Sequence, residues 1–441
     1  MTETSNQRTY DLDRAHVFHS WSAQGLIKPL VFAGGLGSEL WDYEGRRYLD
    51  FSSQLVNINI GHLHPKVVAA IQEQAATLPT INPAHANLAR GLAAQKILAH
   101  AGEPFQKVFF TNGGADAVEN AIRLARLVTG RDKVLSTYRS YHGNTGAAIT
   151  ATGDWRRYPN EYAIGHVHFW GPFPYRSEFW SETPEQEVER ALHHLERTIQ
   201  GEGPQSIAAI LIETIPGTAG VMPPPPGYLA GVRALADKYG ILWIADEVMA
   251  GFGRTGAWFA WQHPAVNPEG VVPDLITFAK GSNSGYVPVG GVIIPDRIVA
   301  EFDERVFPGG LTYSGHPLAA ASVVATIEAM EEEGVVEHAA EIGEKVLGPG
   351  LAALAAKHAI IGEVRGLGVF WALDLVADPA TKEPVPAATI GALRAALLER
   401  GYLPFLSDNR IHVVPPCVVT EEEARRGLAI LDEAFSAVSG R

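Results

Sequence analysis

The chain has 441 residues, 46% of them hydrophobic and 19% charged, the balance of an ordinary globular protein and more than one average domain needs. A formal net charge of −14 argues against nucleic acid or an anionic membrane surface as a partner. No apolar run reaches the ~18 residues of a spanning helix, and the lone Cys417 excludes a disulfide framework or a multi-cysteine metal site.

The N-terminus is polar and lacks an apolar leader, so a cytoplasmic protein is expected. Between residues 30 and 60, Leu40-Trp-Asp-Tyr43, the turn Glu44-Gly45 and Arg47-Tyr-Leu-Asp50 predict a small antiparallel element. From about 105 to 295 the pattern becomes apolar strands alternating with helices. The strands are Val108-Phe-Phe-Thr111, Val134-Leu-Ser-Thr137, Ala208-Ala-Ile-Leu-Ile-Glu213, Ile241-Leu-Trp-Ile-Ala-Asp246 and Leu275-Ile-Thr-Phe278. Uninterrupted apolar strands of this kind belong to a mostly parallel sheet with helices on both faces.

Thr183-Pro-Glu-Gln186 is a capping box with proline at the first helical position, leading into Val188, Leu192, Leu195 and Ile199. A second helix runs from Tyr228 to Lys238 and stops at Gly240. Beyond about 330, helices alternate with strands at Gly368–Asp374 and Arg410–Val414, and a last helix starts at the capping box Thr420-Glu-Glu-Glu423. The expected division is an N-terminal segment 1–60 belonging to a small α+β domain, a large domain 61–330, and the rest of the small domain in 331–441.

Three features carry chemistry. Thr111-Asn-Gly-Gly114-Ala115 follows a strand and opens a helix with Ala117, Val118, Ala121, Ile122 and Ala125 on one face; glycine-freed N–H groups at such a start cradle a phosphate, although a plain strand-to-helix turn has the same sequence. Asp246 ends a buried strand and Lys280 follows the next one. An amine and a carboxylate so placed suit pyridoxal 5′-phosphate, the lysine holding it as a Schiff base and shuttling a proton, the aspartate pairing with the ring nitrogen. The bland alternatives are a turn-capping carboxylate and a surface lysine. Tyr141-His142 follows a strand and could lay a ring on a planar cofactor. His62-Leu-His64 and His166-Val-His168 have alternate spacing, but no further ligands complete a metal site.

Thr111-Asn-Gly-Gly114, Ala245-Asp-Glu-Val248 with Gly251-Phe-Gly-Arg-Thr-Gly256, Phe278-Ala-Lys-Gly281 and Gly310-Leu-Thr312-Tyr-Ser-Gly-His-Pro317, in this order, resemble the class III (ω-amino acid:2-oxo acid) aminotransferases of pyridoxal-phosphate fold type I. The resemblance covers nearly the whole chain. It implies an α/β fold with a large mostly parallel sheet and a smaller α+β domain built from both termini.

By resemblance Gly113, Gly114 and Ala115 hold the phosphate, while Tyr141, His142, Asp246 and Val248 surround the ring. Lys280 is the Schiff-base residue, and Thr312 reaches the phosphate of a neighbouring subunit in a homodimer, alone or paired into a tetramer. Glu213 matches a family glutamate that pairs with an active-site arginine. Trp21, Val56, Thr80, Ile81 and Arg410 are the expected substrate contacts; small residues at Val56, Thr80 and Ile81, where relatives carry aromatics, imply a wider pocket. Relatives that handle ω-amino acids have arginine where this chain has His412. Arg410 is the nearby guanidinium, two residues away and so on the same strand face; a surface arginine is an equal alternative. The implied reaction moves an amino group from an amine or ω-amino compound (1-phenylethylamine, β-alanine, 4-aminobutyrate or taurine type) to a 2-oxo acid such as pyruvate or 2-oxoglutarate. Decarboxylases, aminomutases and racemases of the same fold are the rivals.

Overall fold

The structure is a computed structural model and describes residues 5–161 and 163–439. Strands β1 (Gly34–Leu36), β2 (Glu39–Trp41) and β3 (Arg47–Asp50) form the expected antiparallel element. Its turn is fixed by Asp42, whose Oδ1 accepts from the Glu44 and Arg46 amides at 2.9 and 3.0 Å, and by Gly45, whose φ of 83° is cheap only without a Cβ.

The large sheet contains β4 (Phe105–Thr111), β5 (Lys133–Thr137), β6 (His166–Phe169), β7 (Ile207–Glu213), β8 (Leu242–Asp246), β9 (Leu275–Phe278) and β10 (Gly290–Pro295), in the order β4-β10-β9-β8-β7-β5-β6. Every strand runs the same way except β10, which is antiparallel to both β4 and β9. Two of these strands, β6 and β10, were not expected. Strand β6 lies at the sheet edge and is only partly buried, so it lacks a continuous apolar run. Strand β10 opens with two glycines because nothing larger fits: a Cβ on Gly290 would lie 2.7 Å from the Gly113 backbone, and one on Gly291 would lie 2.6 Å from the Phe278 ring.

Helix Gly114–Thr129 buries the predicted stripe Ala117, Val118, Ala121, Ile122 and Ala125 against the sheet. Helix Pro184–Glu202 forms half of its expected capping box: the Gln186 amide donates to Thr183 Oγ1 at 3.3 Å, a contact worth about 1 kcal/mol, while the Gln186 side chain accepts from Glu182 N at 3.0 Å rather than from Thr183 N. It seats Leu195 and Ile199 in the core, each contributing about 1.5–3 kcal/mol by burial. Helix Tyr228–Tyr239 ends at Gly240 in the left-handed conformation.

The C-terminal part carries β11 (Ile361–Leu367), β12 (Phe370–Asp378), β13 (Glu383–Pro384), β14 (Tyr402–Leu403), β15 (Phe405–Ser407) and β16 (Arg410–Val413). An antiparallel sheet runs β11-β12-β16-β15, with β13 also on β12. Strand β14 leaves this sheet to pair in parallel with β3, Tyr402 opposite Leu49, so the two ends of the chain share one element. The last helix, Glu421–Ser439, starts at the predicted reciprocal cap, Thr420 N to Glu423 Oε2 at 2.8 Å and Glu423 N to Thr420 Oγ1 at 3.2 Å. Leu431 and Phe435 on its inner face are fully buried.

Candidate active site

In the parallel region the strands all point their carboxyl ends the same way, where ligands of open α/β sheets bind. Glu213, Asp246 and Thr277 sit in register on the adjacent strands β7, β8 and β9, and Lys280 lies two residues beyond β9. Asp246 is buried. Its Oδ1 accepts from Val248 N and Thr277 Oγ1, both at 3.1 Å, and its Oδ2 accepts from His142 Nδ1 at 2.7 Å. The far nitrogen of that imidazole, Nε2, is buried without a partner among the described residues. Three donors fix the orientation of one carboxylate.

Lys280 has φ of 39°, a left-handed conformation costing a non-glycine residue roughly 1–2 kcal/mol and typical of functional positions. Burial depresses the pKa of its amine; the Asp246 and Glu213 carboxylates oppose this, and the Arg156 guanidinium adds to it. A depressed lysine is a better nucleophile because more of it is neutral. Glu213 is buried as well, and burial raises its pKa. Its carboxylate accepts from the Tyr141 amide at 2.9 Å and the Gly217 amide at 2.8 Å.

Asp246 and Lys280 open into a cavity of ≈ 350 Å³ that also meets Asn57, Gly113, Gly114, Ala115, Tyr141, His142 and Val248. Helix Gly114–Thr129 starts at its edge with no side-chain cap, leaving first-turn N–H groups for an anion. The space there exists because side chains are missing: a Cβ on Gly114 would strike Val248 at 2.8 Å, and one on Gly143 would strike Ala115 at 2.5 Å. Free amides for a phosphate, a held carboxylate and a depressed amine in one cavity suit pyridoxal phosphate.

A second cavity, ≈ 770 Å³, adjoins the first and shares Tyr141 and Lys280 with it. Its walls carry Arg139, Arg156, Arg157, Arg176 and Arg410 together with Trp21, Tyr138, Trp155, Trp170 and Phe173. The Arg156 guanidinium lies 3.7 Å from the centroid of the Tyr141 ring, and its Nε is 3.0 Å from each oxygen of Asp154. Trp21 meets the same tyrosine edge-on, with centroids 6.3 Å apart. Arg139 stacks on Trp170 and Phe173 at 4.8 and 5.2 Å. A cavity so rich in guanidinium, next to an amine, is built for anions.

The family model "Aminotransferase class-III" matches residues 22–435. The chain belongs to the class III aminotransferases. It is 35% identical over 424 residues to the 5-aminovalerate aminotransferase DavT of Pseudomonas aeruginosa, covering 93% of this chain and 94% of that protein. Among solved structures, the taurine:2-oxoglutarate aminotransferase of Bifidobacterium kashiwanohense, in complex with pyridoxal phosphate and glutamate, superposes with a TM-score of 0.95 at 43% identity over the full length of both chains. A thermostable (S)-enantioselective ω-transaminase from Thermomicrobium roseum gives 0.92 at 36% identity, covering 99% of this chain and 100% of that one. The protein is therefore a pyridoxal-phosphate-dependent enzyme of fold type I that transfers amino groups between amines and 2-oxo acids.

Within this aminotransferase, Gly113, Gly114, Ala115, Tyr141, His142, Asp246, Val248 and Lys280 all line the smaller cavity, and Trp21 and Arg410 line the larger. The remaining expectations fall elsewhere. Val56 is fully buried in the core, while its neighbour Leu55 lines the larger cavity; Ser53, Gln54 and Val56 all have left-handed φ, so the segment is not a regular strand or helix. Thr80, Ile81 and Thr312 line neither cavity of the chain. Glu213 is held by two backbone amides rather than by an arginine, because the turn after β7 folds Gly217 back onto it.

His412 is fully buried, stacks on Phe405 and donates from Nε2 to the Gly217 carbonyl at 3.0 Å. Burial pushes its pKa down to about 3, so it carries no charge for an anion. The first histidine pair is also held structurally: His62 bonds Asp50 and His64 bonds Glu333, both at 2.9 Å. Among the described residues no group of three or more His, Cys, Asp or Glu could hold a metal, and no helix is long and apolar enough to cross a membrane. Sequence reasoning missed Arg139, Arg156 and Arg176. Asp154-Trp-Arg-Arg157 looks like a solvated turn, and only the fold brings it over Tyr141.

Proposed function

We propose that the donor is an ω-amino acid or ω-aminosulfonate, of the taurine, β-alanine, 4-aminobutyrate or 5-aminovalerate type, and that the acceptor is 2-oxoglutarate. The observation that carries this reading is the row of arginines in the cavity beside Lys280. The names of the relatives, which include taurine, 5-aminovalerate and 4-aminobutyrate aminotransferases, support it.

Pyridoxal phosphate supplies an aldehyde that condenses with primary amines and a ring that withdraws electrons from the neighbouring carbon. The first-turn amides of helix Gly114–Thr129 would hold its phosphate. Asp246, oriented by His142, Thr277 and the Val248 amide, would keep a proton on its ring nitrogen by negative charge. Lys280 would anchor it and would carry the donor-carbon proton on Nζ. Arg156, beside Tyr141 and Lys280, binds the donor's anionic end with Trp21 at its side, and holds the donor with its amine at the reacting end.

A donor panel with 2-oxoglutarate tests this. Taurine and ω-amino acids are expected to be turned over, and Arg156→Ala is expected to raise their KM by tenfold or more, the loss of one charge-assisted hydrogen-bonding group at about 1.5–3 kcal/mol. A second reading, an arylalkylamine donor, is favoured by the aromatic wall of Trp21, Tyr138, Trp155, Trp170 and Phe173. Turnover of one 1-phenylethylamine enantiomer, with taurine and the ω-amino acids inert, would establish it in place of the first.

We also propose a cytoplasmic homodimer in which each chain completes the other's site. Thr80, Thr312 and Tyr313 are exposed. Arg90 ties their two loops into one surface, donating to the carbonyls of Pro83, His85 and Gly315 at 2.9–3.0 Å. Thr312→Ala is expected to weaken cofactor binding about fivefold to tenfold, one hydroxyl contact to a phosphate, read by equilibrium dialysis. A monomer in sedimentation that still binds cofactor tightly would contradict the shared site.

A further inference from the structure

The arginines of the larger cavity are not equally satisfied. Arg156 holds both oxygens of Asp154, and Arg176 donates to Asp374 at 2.8 Å and to the Lys382 carbonyl. Arg365, behind the wall, donates to the Gly220 carbonyl at 2.7 Å, to Glu363 and to Asp374. Among the described residues Arg410 has a single partner, Asp408, reached through Nη2. Its Nε is buried with no acceptor among the described residues.

The two members of this pair differ in surroundings. The Arg410 side chain is 18% exposed and that of Asp408 is 68% exposed. Asp408 stands on the turn between β15 and β16 with φ of 51°, so the pair joins a mostly covered guanidinium to a carboxylate open to solvent. The floor beneath is Gly220, where a Cβ would lie 2.6 Å from both Arg410 Cδ and Arg365 Nη2. That floor brings the two arginines against one backbone segment.

We propose that Asp408 is a specificity-determining residue for the acceptor: its carboxylate occupies Arg410 until the distal carboxylate of a 2-oxo diacid replaces it. The proposal rests on the reading that 2-oxoglutarate is the acceptor. An exposed aspartate on one edge nitrogen is a weak partner. An incoming carboxylate that takes Nη2 and the unpaired Nε together forms a two-bond fork and satisfies a buried donor. A 2-oxo monoacid such as pyruvate has no second anion to make the exchange, so Asp408 weakens diacids alone and sets how much of the diacid preference supplied by Arg410 is expressed. No bond is made or broken; one ion pair is exchanged for another.

The test uses the cofactor-loaded enzyme and the Asp408→Asn variant, since asparagine tolerates the left-handed turn. The ratio of kcat/KM for 2-oxoglutarate to that for pyruvate is expected to rise about twofold to fivefold, the size of an exposed ion pair, with the change in KM. Glutarate, which has both carboxylates but no reacting carbonyl, should bind the variant more tightly by the same factor in calorimetry. Arg410→Met should lower the ratio by tenfold or more. Equal shifts for both acceptors, or none, in a wild-type enzyme that does use 2-oxoglutarate would overturn the role of Asp408 alone. A wild-type enzyme that uses no 2-oxo diacid would overturn the acceptor reading and this proposal together.

Discussion

Lys280→Ala is expected to lower amino transfer on the order of 10⁴-fold or more, because one side chain both anchors the cofactor and carries the proton between carbons. The folded protein should not suffer. Alanine at φ of 39° pays the same backbone cost as lysine, and removing a desolvated amine removes a penalty. The sign of the pH dependence makes this measurable. The amine's pKa is depressed by burial from its ordinary 10.5, so between the folded value and 10.5 the unfolded chain binds more protons, and stability rises with pH across that window. Cofactor-free wild type should show this increment in urea unfolding and Lys280→Ala should lack it. A variant that keeps more than a hundredth of the activity, or that unfolds before activity is lost, would contradict the assignment.

Asp246→Asn is expected to reduce kcat by about 10²–10³, the magnitude of removing one oriented electrostatic group from a reaction centre. Shape is retained, because the amide oxygen still accepts from Val248 N and Thr277 Oγ1 while the amide nitrogen faces His142 Nδ1, whose tautomer can reverse. The lost charge also withdraws one of the carboxylates that hold the Lys280 pKa up. Asp246→Ala leaves the Val248 and Thr277 donors without their acceptor and should cost about 1–3 kcal/mol of stability. The pair of variants thus separates charge from scaffold. Near wild-type turnover in Asp246→Asn would show that the carboxylate only caps the turn before Gly251.

What could be read from the sequence follows from where the chemistry sits. Strand β7 is buried at every position from Ile207 to Glu213, and such runs announce both a buried parallel strand and the polar residue that ends it. Glu213, Asp246 and Lys280 were visible for that reason. Strand β10 was not, because close approach to Gly113 and Phe278 demanded glycines where a strand pattern needs side chains.

The arginines were hidden for a different reason. Arg139 lies in a loop and Arg156 in the short 3₁₀ helix Trp155–Asn160, neither with a period to place it, and their value comes from tertiary stacking on Trp170, Phe173 and Tyr141. Val56 sits at a local break that no sequence pattern announces: with Ser53, Gln54 and Val56 left-handed, the neighbouring Leu55 lines the larger cavity. Arg410 was visible by parity alone. It and His412 share a strand face, both toward the Gly217–Gly220 turn, but only the former keeps a charge.

The most direct test of the whole account is a single turnover without acceptor. Enzyme loaded with pyridoxal phosphate is mixed with ¹⁵N-labelled taurine, freed of small molecules, and then given 2-oxoglutarate. The account predicts that label stays with the protein in proportion to its sites, that the aldehyde of the donor is released before any acceptor is present, and that 2-oxoglutarate then removes the label as glutamate. Retention of no label, or release of carbon dioxide with continuous turnover in the absence of a 2-oxo acid, would contradict it.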